Sequence, residues 1–172
     1  ECVVTPFDGT DAGAAMGDTL TVSNTAPVLS AVSLGPDPVY EDDTLVCMPS
    51  TSTDADGDVI TYGYEWTVAG VTVAAATTDT LTGSDFDKGD DVTCSVTPND
   101  GTDDGAAVDS NTVTISNSAP SITSVTISPD PATSSDTLTC TWSGYADADG
   151  DADSSTVEWT VNGTYAGSAT TL

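Results

Sequence analysis

Asp43-Thr44-Leu45-Val46-Cys47, Tyr62-Gly63-Tyr64-Glu65-Trp66-Thr67-Val68 and Asp91-Val92-Thr93-Cys94-Ser95-Val96 are the stretches whose reading decides the fold. In each, large apolar residues tend to alternate with small or polar ones. That period of two belongs to a half-buried β-strand. Turn-forming Asp, Gly, Pro and Ser fill much of the sequence between them, as expected of strands joined by loops.

Composition agrees with an all-β chain. The 172 residues carry 28 acidic side chains against one basic side chain, Lys88, with no His and a formal charge of −27. Asp outnumbers Glu 24 to 4. Glu favours helices, whereas Asp favours turns and offers hard oxygen ligands from loops. Abundant Thr, Ser and Val point the same way. So negative a field repels nucleic acid and anionic membranes, and no apolar run is long enough to insert in a bilayer. Without an initiating Met or a signal peptide, the sequence reads as an internal or processed segment of something longer.

The chain repeats itself. Ser23-Asn24-Thr25-Ala26-Pro27 returns as Ser116-Asn117-Ser118-Ala119-Pro120, and Asp54-Ala55-Asp56-Gly57-Asp58 as Asp147-Ala148-Asp149-Gly150-Asp151. Glu65-Trp66-Thr67-Val68 returns as Glu158-Trp159-Thr160-Val161, and all these offsets are 93 residues. Cys2, Pro6, Gly9 and Gly13 match Cys94, Pro98, Gly101 and Gly105 at an offset of 92, so a one-residue slip falls near Asn111. The repeat predicts three units. Residues 1–24 are the last two strands of one, 25–117 a complete one, and 118–172 the first half of a further one. Strands are expected at 28–34, 44–48, 60–68, 71–75, 78–81, 92–97 and 106–115, with a tight hairpin at Ala69-Gly70. The short Ala-Pro junctions would stiffen the array into a rod.

Cys47, Trp66 and Cys94, in that order on three strands, carry a family resemblance. The chain resembles bacterial immunoglobulin-like tandem repeats, close to the PKD and cadherin-like surface modules. The resemblance implies tandem immunoglobulin-like β-sandwich domains, with the Trp packed against an inter-sheet disulfide. It therefore implies a Cys47–Cys94 bond, the alternative being two free buried thiols. Val92 stands where such domains usually carry Tyr, so no tyrosine corner is expected. Cys2 and Cys140 have no partner in their own units. Either their partners lie outside the chain, or the two half units complete each other between successive copies, with an intermolecular Cys2–Cys140 disulfide.

The Asp54/Asp56/Asp58 and Asp147/Asp149/Asp151 loops resemble the calcium-leaning loops of such repeats. Carboxylates at alternate positions can converge on one hard cation while Gly permits the bend. The alternative is a solvated Asp-rich turn. A second acidic group, Asp100, Asp103 and Asp104, is echoed by Asp8 and Asp11; it offers further ligands if it lies at a junction. Asn162-Gly163-Thr164 is a lone glycosylation sequon. No residue set suggests catalysis, since there is no His and no Ser with a base.

These readings lead to an extracellular, non-enzymatic structural repeat. It would form a surface fibre, stalk or adhesin shaft, with calcium as cofactor. Its partners would be copies of itself in a head-to-tail filament or neighbouring repeats of the same chain. A carbohydrate- or partner-binding module of a secreted protein is the alternative. Exposed aromatics would favour that alternative, whereas Trp66, Trp159, Tyr62 and Tyr64 are expected to face the core.

Overall fold

The computed structural model describes residues 1–172 and contains sixteen strands and no helix. In the N-terminal stretch β1 (Cys2–Val4) pairs antiparallel with β2 (Met16–Asp18). The central stretch holds β3 (Val28–Leu29), β4 (Val32–Gly35), β5 (Thr44–Pro49), β6 (Ser52–Thr53), β7 (Thr61–Val68), β8 (Val71–Thr72), β9 (Thr80–Thr82), β10 (Asp91–Asn99), β11 (Val108–Asp109) and β12 (Val113–Thr114). The C-terminal stretch holds β13 (Ser124–Ser128), β14 (Thr139–Ser143), β15 (Trp159–Val161) and β16 (Thr164–Gly167).

Two sheets face each other in the central stretch. One runs β4-β5-β9, with the short β3–β6 pair beside it; the other runs β11-β10-β7-β8, with β12 also on β10. The alternation seen in sequence fixes which side chains meet between them. On β10, Val92, Cys94 and Val96 point inward and are buried, and β7 contributes Trp66 and Val68. Cys94 lies directly across the ladder from Trp66. The Cys47–Cys94 disulfide joins β5 to β10, tying one sheet to the other with its Cα atoms 6.2 Å apart. Closing the loop between two cysteines 47 residues apart stabilises the fold by about 4 kcal/mol on the chain-entropy account. Trp66 is fully buried, and its indole Nε1–H donates to the Thr78 carbonyl at 2.8 Å, so its one polar atom is satisfied.

The antiparallel, all-β architecture has the layering of a β-sandwich, but several strands differ from their expected spans. The strand expected at 28–34 breaks at Ser30-Ala31. There the Ser50 hydroxyl accepts from the Ala31 N–H at 2.9 Å, and the Ser30 hydroxyl donates to the Thr51 carbonyl at 3.0 Å. Side-chain hydroxyls supplement the backbone bond that remains there, from the Ser50 N–H to the Ala31 carbonyl at 2.9 Å, as Ser does readily. The strand expected at 106–115 breaks between β11 and β12, where Asn111 turns its amide onto another strand. Leu34 N–H donates to Asn111 Oδ1 at 2.8 Å, and Asn111 Nδ2 donates to the Leu34 carbonyl at 3.2 Å. The Asn111 amide thus stands in for a peptide group across the gap between β4 and the last strand. The strand expected at 71–75 shortens to β8, and that expected at 78–81 shifts to β9, which leaves the Thr78 carbonyl for Trp66.

One core cluster of fifteen buried residues lies entirely between Leu29 and Ile115. Elsewhere Trp159 is the one buried hydrophobic residue. Val3, Phe7, Met16 and Leu20 in the N-terminal stretch are exposed, as are Ile122, Val125 and Ile127 in the C-terminal stretch. No helix is long and apolar enough to cross a membrane.

Candidate functional site

The two Asp-Ala-Asp-Gly-Asp loops fold alike. Asp54 Oδ1 accepts the N–H groups of Asp56 at 2.9 Å and Asp58 at 3.2 Å; Asp147 Oδ1 accepts those of Asp149 and Asp151, both at 3.0 Å. Gly57 and Gly150 take the bend with positive φ, 83° and 72°, a conformation that costs Gly little. In both loops, therefore, one oxygen of the first Asp builds the turn. The other oxygen, Asp54 Oδ2 or Asp147 Oδ2, is sealed from solvent with no hydrogen-bond partner. Asp149 Oδ1 is orphaned in the same way.

The middle Asp of each loop holds the chain segment that leads into its stretch. Asp56 Oδ2 accepts the Thr25 N–H at 2.7 Å, and Asp149 Oδ2 accepts the Ser118 N–H at 2.6 Å. Thr25 and Ser118, like Asp56 and Asp149, are 93 residues apart. The contact between linker and loop is thus the same contact made twice.

The loops differ in how tightly they gather. Asp147, Asp149 and Asp151 each place a carboxylate oxygen within 4.8 Å of the others; Asp54, Asp56 and Asp58 do not converge to that degree. Lys88, from the loop between β9 and β10, donates its ammonium to Asp151 Oδ2 and forms the single salt bridge of the molecule. That hydrogen bond, with Asp151, Asp149 and Asp147 acting through their charge, holds the ammonium pKa above its ordinary 10.5. The Lys88 backbone N–H is held separately by Glu41 Oε1 at 2.6 Å. Beside the loop, Pro120, Tyr145, Asp147, Asp151 and Ser155 help line an open recess of about 510 Å³.

The other acidic group is committed to hydrogen bonds. Asp100 is buried, its Oδ1 accepting the N–H groups of Thr102 and Asp103 at 2.7 Å and its Oδ2 the Asn24 amide at 2.8 Å. The Asp103 N–H, then Asn24 and the Thr102 N–H, hold its carboxyl below the ordinary 3.8. Asn24 also donates to Asp103 at 2.8 Å, and Asn99 donates to Asp104 at 2.8 Å. Asp8, 92 residues before Asp100, accepts the N–H groups of Thr10 and Asp11 in the same pattern. No ligand triad gathers at Asp100, Asp103 and Asp104; Asp100 and Asp103 hold Asn24 at the junction instead, and Asp104 holds Asn99.

Cys2 is a free, exposed thiol and Cys140 a free, half-buried one. Asn162 is exposed at the β15–β16 turn with φ 52°, where Asn has a conformational role of its own. Trp66 and Trp159 are buried, and Tyr62 and Tyr64 pack partly buried against the core.

Lys88, Asn24 and Asn111 are the residues that sequence reasoning passed over. For Asn24 a signal existed, because its Asn recurs as Asn117. For Lys88 it was only that the chain has no other base. No known protein-family model matches the chain, and no curated protein is significantly similar to it.

Proposed function

We propose that this chain is a structural repeat segment of an extracellular fibre, stalk or adhesin shaft, built from tandem immunoglobulin-like units whose junctions divalent cations stiffen. The observation that carries this reading is the twice-made contact in which an Asp loop grips the incoming linker, Asp56 on Thr25 and Asp149 on Ser118. A loop that serves only as a solvated turn has no need to meet the linker at both junctions. A loop that fixes the angle between neighbours does.

The donor set suits calcium: hard carboxylate oxygens, two of them in one loop buried and lacking any donor. Asp147, Asp149 and Asp151 would hold such an ion, with Asp54, Asp56 and Asp58 as the weaker set. The ion's role would be electrostatic, relieving the repulsion among clustered carboxylates. The half units are each completed by a neighbour, along one polypeptide or from the next subunit, which would cover their exposed Val, Ile and Phe side chains. Trp66 and Trp159 are buried, and the exposed aromatics Phe7, Tyr40 and Tyr165 fall one in each stretch, which favours the shaft over a single sugar-binding platform.

Electron microscopy of the native material, with and without a calcium chelator, tests this reading. We expect straight filaments that slacken, and a lowered unfolding temperature, once calcium is removed. Flexible chains in both conditions would overturn the shaft reading; stiff filaments with an unchanged melting curve would overturn the cation's part in it.

A further inference from the structure

We propose that Lys88 is a tethered counter-ion for the Asp147/Asp149/Asp151 loop, closing the junction when no divalent cation is bound and competing with the cation for Asp151. This inference rests on the cation reading of that loop and adds its regulation.

Three independent observations support it. The ammonium comes from a different part of the fold, the loop between β9 and β10, and reaches across to Asp151. The loop that has this lysine draws three carboxylates together, whereas the sequence-equivalent loop at Asp54, Asp56 and Asp58 has no basic partner and does not gather. Finally, the ammonium leaves Asp147 Oδ2 and Asp149 Oδ1 buried without a donor. Held on Asp151 alone, the ammonium does not serve the other two carboxylates, whereas a divalent ion coordinates several oxygens at once. To use Asp151 as well, that ion must take the oxygen that Lys88 holds.

No other side chain can play this part, since Lys88 is the only Lys or Arg present. Binding at this junction is therefore an exchange of one cation for another. The Asp54 loop, which shares the orphaned oxygen but lacks the lysine, is a built-in comparison.

The test titrates the full chain with calcium chloride by calorimetry, as wild type, Lys88→Gln and Lys88→Arg. Exchange of the Ser118 amide, which rests on Asp149, is followed by NMR in calcium-free buffer. We expect Lys88→Gln to tighten calcium binding about tenfold, the order of one unit-charge interaction at a partly exposed site. It should also speed Ser118 exchange severalfold while leaving Thr25 unchanged. Lys88→Arg should restore wild-type values in both readouts, and Asp147→Asn, which removes a proposed ligand, should weaken calcium binding at this loop whether or not Lys88 is present. If either readout is the same in Lys88→Gln and wild type while calcium still binds, the counter-ion role is wrong and the cation reading stands. If neither protein binds calcium, both fall.

Discussion

Ala69 sits at φ 48° and Asn162, 93 residues later, at φ 52°, each followed by a Gly at positive φ. Both are first residues of two-residue hairpin turns, one joining β7 to β8 and the other β15 to β16. Such turns need left-handed backbone at both positions, where Asn and Gly are at home and Ala is strained. The second hairpin has the favoured pair and the first does not. Ala69→Asn should therefore stabilise the central stretch by about 0.5–1 kcal/mol, read as a raised denaturation midpoint; an unchanged or lowered midpoint would show that the strain is relieved elsewhere. The tight turn at Ala69-Gly70 was legible because its Gly and its flanking alternation are local signals. Which oxygen of Asp147 builds a turn and which stays empty was not legible, because it depends on loop geometry that the letters Asp-Ala-Asp-Gly-Asp do not specify.

Among the elements, the last strand of the central stretch is broken into β11 and β12. Val113 and Ile115 alternate, but Val108 lies five residues before Val113 and is out of phase with them; the strand breaks between, where Asn111 bonds both backbone groups of Leu34. The one-residue slip in the repeat and in the apolar period marked this place, but neither reveals that an amide side chain fills it, because a slip in period does not say which group takes over the backbone bonds. Leu34 is buried, so an orphaned N–H there has no water to turn to. Asn111→Ala should cost about 1–3 kcal/mol, the usual penalty for stranding a buried backbone donor. Urea unfolding measures it, and a loss under 0.5 kcal/mol would mean that the gap closes without the amide. The strands around Cys47, Trp66 and Cys94 were the easy part, because the small and polar residues between their buried side chains preserved the alternation.

For the whole molecule, the 93-residue period marked off three stretches, and only the middle one encloses a full core. β1 carries Cys2 and β14 carries Cys140, in the positions that Cys94 and Cys47 hold in the centre. If neighbouring units complete one another, peptide mapping of the assembled material under non-reducing conditions should recover Cys47 joined to Cys94 and Cys2 joined to Cys140. A monomer that stays soluble at high concentration with both outer thiols free would refute completion between subunits. How the ends are covered was beyond the sequence, because alternation reveals that a strand has an apolar face and says nothing about what lies against it.

The lone base has one more consequence, and it concerns proteolysis. Trypsin requires a cationic side chain in its acidic specificity pocket, so in all 172 residues it has one bond to cut, Lys88-Gly89. The ammonium it must capture is engaged by Asp151, so the protease has to wait for that contact to open. The cut would separate residues 1–88 from 89–172, yet Cys47 and Cys94 lie on opposite sides of it and keep the pieces together until the disulfide is reduced. A nicked molecule would travel as one band without reductant and as two with it. If calcium displaces the lysine from Asp151 as proposed, binding of the ion would also expose the only tryptic bond.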